Sequence, residues 1–336
     1  MSFWILLENL LHMETAMKKN NNALSLYILV KRNIKLYLKD KMTVFFSVLA
    51  PIIVLLLYIL FLGKIQNESI MNMVIDGYKV SDYLTKADIN ALINNWMIAG
   101  VMGVSCITVA LNANIIMVRD RMTGTVNDVI SSPVKRWVLY LSYIISCFLI
   151  TFGICFIVLM ISVIYLACSG GLMMTFSEFL GIFGITILSI FSSAFFTVLI
   201  CGFIKTTSAL SALNGVFSTA IGFLIGSYLP FSMLPSYIQY IACFIPGTYS
   251  AGLFRNYFMG GVIRLLKSKV PDATLIKGVF DSYSIDLKFF GNTVSAAWMV
   301  LALLISIAVF GSLILILYSN KKTNFFSIGK SRFKKN

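Results

Sequence analysis

Hydrophobic residues in this chain come in long runs separated by short charged breaks. Charge-free intervals lie between Lys41 and Lys64, Asp88 and Arg119, Arg136 and Glu178, Glu178 and Lys205, Lys205 and Arg255, and Lys288 and Lys321. A run of about 20 apolar residues is long enough to cross a bilayer as a helix, the form that satisfies its own backbone amides in lipid. Six spans are predicted: Met42–Gly63, Ile93–Val118, Trp137–Cys168, Phe179–Ile204, Ser208–Tyr228 and Thr293–Tyr318. The expected fold class is an all-α polytopic membrane protein. The third span would reach about 48 Å as a helix, so it tilts or extends beyond the bilayer core.

Three stretches depart from the plain span pattern. From Leu24 to Lys41 the apolar residues Tyr27, Val30, Ile34, Tyr37 and Leu38 recur at helical spacing, with Lys31, Arg32, Lys35 and Lys39 on the other side. This predicts an interfacial helix with its basic residues toward anionic headgroups. Along the fifth span, Ser211, Gly215, Ser218, Gly222 and Gly226 repeat at steps of three or four, ending in a literal GxxxG. Small residues at that spacing admit a close neighbour, either at a pore or dimer seam or inside one subunit. After it, Pro230, Pro235 and Pro246 cut residues 229–254 into pieces too short to span. A re-entrant helical hairpin is the expected solution. A seventh crossing, which would put the tail outside, is the competing reading.

The remaining stretch is the charged island Arg119–Arg136, set between uncharged runs of 30 and 41 residues. Thr125 and Asp128 have the T-x-x-D spacing of a helix start, so the Thr125 side chain is expected to accept backbone N–H groups. Pro133 disfavours helical geometry at Ser132 and should end the turn there. By spacing alone this fits an ordinary membrane loop as well as a short helix held rigidly for a partner.

The island resembles the E-R-x-x-G-T-L-E-x-L-L-x-x-P loop of the type-2 ABC exporter permeases. Asp120 stands at the Glu position and Gly124, Thr125 and Pro133 match outright. Val126, Val129 and Ile130 take the aliphatic positions, and Asn127 replaces the usual Glu. The Pro-rich segment, with Ile245-Pro246-Gly247-Thr248-Tyr249 before Arg255, is similar to the same family after its fifth span. The resemblance implies that residues 119–133 form a coupling helix seated in a cleft of a separate ABC ATPase. Motor contact is then expected at Arg119, Asp120, Arg121, Gly124, Thr125, Asp128 and Pro133. It further implies a homodimer, or a heterodimer with a related permease, and a cap on the path formed by Pro230, Pro235 and Pro246. Asn112, Asn114, Asn214 and the small face of the fifth span are candidates for the translocation path or dimer seam.

Under this reading residues 1–23 are unassigned, 24–318 form the permease domain with an outer loop at 255–291, and 319–336 are a basic cytoplasmic tail. Both termini face the cytoplasm of a cell-membrane protein. Lys and Arg then number 18 inside against nine outside, the bias that the positive-inside rule expects.

Composition agrees and excludes other classes. Hydrophobic residues make up 59% and charged ones 12%, with a mean hydropathy of +0.89. The net charge of +14 sits at the ends of hydrophobic runs, without an aromatic-interleaved basic patch, so nucleic acid is not an expected partner. The six cysteines lie in apolar runs and never pair as C-x-x-C, which predicts packing residues and no zinc site. Gly329-Lys330-Ser331 imitates the end of a phosphate loop, but Asn324 stands where its first glycine belongs. No catalytic residue, metal or cofactor is expected in the chain; ATP and Mg2+ would belong to the partner. No Asp or Glu falls within the predicted spans, so a carboxylate proton relay is missing and the energy must come from elsewhere. Substrates expected are a drug-like, peptide or lipid-like amphiphile, or a lipid-linked glycan. A non-transporting immunity or signalling protein is the alternative from another class.

Overall fold

The computed structural model describes residues 22–62, 83–132, 134–270, 276–278, 280, 283–285, 287–289 and 292–319. Pro133, the N-terminal 21 residues, most of the loop before residue 83 and the basic tail lie outside them. Helix α1 covers 22–39. It is followed by α2 (Lys41–Leu57), which runs into a π-helical turn at Tyr58–Leu62. Then come α3 (Lys86–Ala113), α4 (Ile115–Thr123), α5 (Thr125–Ser131), α6 (Arg136–Cys168), α7 (Phe176–Phe203) and α8 (Thr207–Leu224). Short helices α9 (Ser236–Ala242), α10 (Pro246–Phe258) and α11 (Gly260–Lys269) follow. A two-stranded hairpin, β1 (Lys288–Phe289) and β2 (Asn292–Thr293), precedes α12 (Ala296–Ser319).

Among the described residues six helical stretches are long and apolar enough to cross a membrane, and they fall on the six charge-free intervals. Their ends sit where local chemistry predicts. Thr85 with Asp88 and Thr175 with Glu178 form capping boxes that start α3 and α7. Each proline of the fifth-span segment begins a helical turn: Pro230 before Phe231–Met233, Pro235 before α9, and Pro246 at the first positions of α10. There its missing N–H removes no helical bond.

Helix α3 is the centre of the bundle. It packs against α2, α6, α7, α8 and α10, and 89% of the residues in the most apolar 18-residue stretch of its span are buried, against 22%, 17% and 11% for the first, fifth and last spans. Its small residues explain the close packing. A Cβ on Gly100 would lie 3.0 Å from the Ser227 carbonyl oxygen, and one on Gly103 3.0 Å from the Ala251 side chain, so the neighbouring chain rests directly on the α3 backbone.

At the end of the bundle away from α4 and α5, α11 is clamped across the starts of two spans. Lys269 reaches Asp88 at 2.6 Å and Arg264 bonds Glu178 at 2.9 Å. The expected outer loop at 255–291 therefore begins as helix, and Arg255 lies buried inside α10. Tyr283, Ile285, Leu287 and Phe289 then pack into the core. A Cβ on Gly261 would run into the Met173 carbonyl group. Gly261→Ala must therefore shift backbone, and is expected to lower stability by about 1–3 kcal/mol. A thermal melt of the purified protein would show it, and an unchanged melting temperature would disprove the close fit.

Candidate functional site

Polar side chains that face inward divide the second span into α3 and α4. Asn114 donates to the Ala110 carbonyl and to Thr197 Oγ1 at 2.9 Å each, and to Cys147 Sγ at 3.3 Å. Its backbone leaves helical geometry at φ −77°, ψ 2°, and α4 continues below that break. Asn114 is thus enclosed between α3, α6 and α7. Asn112 behaves differently: it accepts from Asn214 Nδ2 at 2.7 Å, and Asn214 accepts from Ser218 Oγ at 3.3 Å. These three of the path candidates form one polar chain between α3 and α8.

Consecutive residues Asp120 and Arg121 point about 100° apart on α4 and bind different helices. Asp120 is buried and accepts two bonds from the Arg32 guanidinium, at 2.7 and 2.8 Å, and a third from the Tyr143 hydroxyl at 2.8 Å. The carboxylate joins α1, α4 and α6. Its bonds to Arg32 raise that residue's pKa above the ordinary value. Arg121 is also buried and donates to the Cys201, Gly202 and Ile204 carbonyls at 3.1, 2.8 and 2.7 Å. Those are terminal acceptors of α7, where a cation also meets the negative end of the helix dipole. Arg119 is half exposed and 3.8 Å from Asp40, a surface pair of little energetic weight.

Gly124 turns the chain between α4 and α5 at φ +82°, the left-handed conformation that glycine accepts without a Cβ clash. The expectation that Thr125 caps α5 through its side chain is corrected. Gly124 occupies the cap, and Thr125 Oγ1 instead meets Thr123 Oγ1 at 2.9 Å. Val126 anchors α5 in the core. Asn127, Asp128 and Ser131 face outward, with Met122 and Thr123 beside them. The helix ends at Ser131 and Ser132 is extended at ψ 166°, as the restriction imposed by a following proline requires. Of the residues expected to touch a motor, Asp128 is exposed, Arg119, Gly124 and Thr125 are half-buried, and Asp120 and Arg121 point inward. Pro133 lies outside the described residues.

Helix α1 also differs from its expected faces. Leu29, Asn33 and Tyr37 are buried, with the Tyr37 hydroxyl 2.7 Å from Ser47 Oγ, and Arg32 turns inward to Asp120. Tyr27, Ile28 and Leu38 remain exposed next to Lys31, Lys35 and Lys39. Sequence reasoning missed Arg32 and Tyr143. One signal pointed to Arg32: it is the single arginine in a helix of lysines, and a planar fork is what bidentate pairing to a carboxylate selects.

The small residues of the fifth span divide into two groups. Ser211 and Gly215 lie on the exposed face of α8, where a Cβ on Gly215 would meet nothing within 4 Å. Gly222 and Gly226 serve the turn that follows. The Tyr228 ring covers Gly222, and Gly226 adopts φ +71° while Ser227 and Tyr228 return their N–H groups to the Gly222 carbonyl. The segment after Pro230 binds itself: Thr248 Oγ1 donates to Ala242 O at 2.7 Å and Tyr249 to Cys243 O at 2.9 Å. Arg255, fully buried, donates to the Gly226 carbonyl and lies 5.3 Å from the centre of the Trp96 ring, holding the end of α8 to α10 and α3.

Among the described residues no group of three His, Cys, Asp or Glu side chains could hold a metal ion. The arrangement suits mechanical transmission: a small outward face on α5 fixed through α4 to helices α1, α6 and α7. Comparison with the curated proteins gives no match. The family model for the ABC-2 type transporter matches residues 25–259, from α1 to the turn that closes α10. The chain therefore belongs to the ABC-2 type transporter family, as a multi-pass membrane permease subunit.

Proposed function

We propose that this subunit exports an amphiphilic substrate of drug-like, peptide or lipid-like character, driven by a separate ATPase that docks on α5. The observation that carries the reading is the fixing of α4 by Asp120 on one side and Arg121 on the other. A displacement of α5 that is carried through α4 would be passed to α1, α6 and α7 together. ATP and Mg2+ would be bound by the partner. For the work to be transmitted, that partner must bind the two states of the permease with different free energy; a near-complete switch needs about 5.5 kcal/mol.

The exposed face of α8 supports pairing with a second permease, either the same chain or a related one. Of the six spans it has the lowest hydropathy, 1.3, and it presents Ser211, Gly215 and Thr219 outward. Such a surface gains little from lipid and suits close approach of another helix or a polar path. The α4–α5 end is read as cytoplasmic on the distribution of Lys and Arg, with both chain ends on that side of the cell membrane. The α9–α10 hairpin would then cap the outer end of the path.

The test is to purify the complex from native membranes and measure ATPase activity in lipid across a panel of candidate substrates. An ATPase carrying Walker motifs should co-purify in equal amount and be stimulated by a transported substrate. An Asn127→Arg/Asp128→Arg variant, altered only at exposed positions, should keep its melting temperature and lose the ATPase. Recovery of a membrane enzyme or receptor in place of an ATPase would overturn the exporter reading.

A further inference from the structure

A groove of about 920 Å³ opens beside the junction of α5 and α6. The exposed Lys135, Arg136 and Trp137 form its mouth, and Phe195, Gly311 and the buried Ile314 line it from α7 and α12. Lys135 and Arg136 are exposed, form no ion pair among the described residues, and sit at the start of a helix whose first turn has no acidic residue. Trp137 and Leu315 are exposed beside it, on two helices long and apolar enough to cross a membrane. A tryptophan at the end of a span is the usual marker of the headgroup level.

We propose that this groove binds an anionic phospholipid, its headgroup phosphate on Lys135 and Arg136 and its acyl chains along Phe195, Gly311 and Leu315. The distribution of charge selects the occupant. Two cations at the mouth of an apolar channel match a molecule with an anionic head and a hydrocarbon body, and a volume of this size accommodates such chains. A soluble phosphate leaves the apolar interior uncovered. The chain's own tail after α12 carries six basic residues and repels a cationic mouth. Because Ile130 of α5 also lines the groove, a bound lipid braces α5 against the last span.

The inference needs no ATPase, so its failure leaves the coupling reading intact. The full-length protein, stripped of lipid in detergent, would be titrated with phosphatidylglycerol or phosphatidylcholine and the bound lipid counted by native mass spectrometry. Phosphatidylglycerol should be retained preferentially. Lys135→Gln/Arg136→Gln should weaken it about 30-fold, the factor expected of two cations near an anionic headgroup, and weaken phosphatidylcholine less, because its choline already offsets the phosphate charge. Gly311→Leu, which fills the channel against Phe195, should weaken both lipids. Equal retention of phosphatidylglycerol by the wild type and the charge variant, or displacement of it by glycerol phosphate alone, would overturn the proposal. Melting curves of both variants check that the fold is retained.

Discussion

Asp120→Ala is expected to destabilise the protein by roughly 2–4 kcal/mol and to release α4 from α1 and α6. The carboxylate is buried and takes three hydrogen bonds from two helices other than its own. Its removal leaves a guanidinium and a phenol facing a site built for an anion. Removing one partner of a buried pair leaves the other charge unsatisfied, which is why the loss exceeds the value of the pair itself. Arg32 keeps about a third of its side chain in contact with solvent, and that access holds the effect toward the lower part of the range. Asp120→Asn keeps the shape and loses the charge, so it should fall between. Arg32→Lys keeps the charge and loses the fork, and should recover only part of the stability. Thermal unfolding of the purified variants measures the series. ATPase stimulation in the reconstituted complex should fall in the same order. An Asp120→Ala protein that melts with the wild type would remove the basis for treating α4 as the fixed arm.

Gly124 carries the second large effect, and its cause is confined to the backbone. At φ +82°, with nothing within 4 Å of the position a Cβ would take, any replacement meets conformational strain and no steric neighbour. An L-residue in that conformation is worse than glycine by about 1–2 kcal/mol. Asparagine tolerates it better than most residues, and a β-branched residue tolerates it worse. Activity should therefore rank Gly124→Asn above Gly124→Ala above Gly124→Val. Gly124→Pro cannot reach a positive φ at all and must re-aim α5. The spans do not depend on this turn, so the proline variant should insert and fold yet fail to couple ATP hydrolysis to export. If the asparagine and valine variants couple equally well, or the proline variant exports normally, the angle between α4 and α5 is not what transmits the motion.

Several features were legible because they depend on residues near one another in the chain. Ser132 is extended before Pro133, and Pro235 and Pro246 start helices, because proline fixes its own geometry and that of the residue before it. The Thr125 cap was misread for the opposite reason. The T-x-x-D spacing was present, but the chain enters α5 through a left-handed glycine already bonded to α4, and the cap moved one residue back. The GxxxG of the fifth span was equally ambiguous. Spacing shows that small residues recur on one face, but not that Tyr228 folds back over Gly222.

The sequence by itself determined the six long apolar runs, their approximate ends, and the charged island between the second and third. Bilayer thickness acts on a contiguous run of residues, so hydropathy along the chain is sufficient to read it. Only the tertiary structure decided which charges turn inward. Asp120 meets Arg32 across 88 positions, and Arg121 meets the end of α7 across 80 or more. Arg255 lies within the core although a linear reading places it at the start of an outer loop. Such pairings join residues far apart in the chain and form only when whole helices pack, so no local pattern records them. The packing of α1, α4, α6 and α7 therefore turned a recognisable loop into a fixed arm.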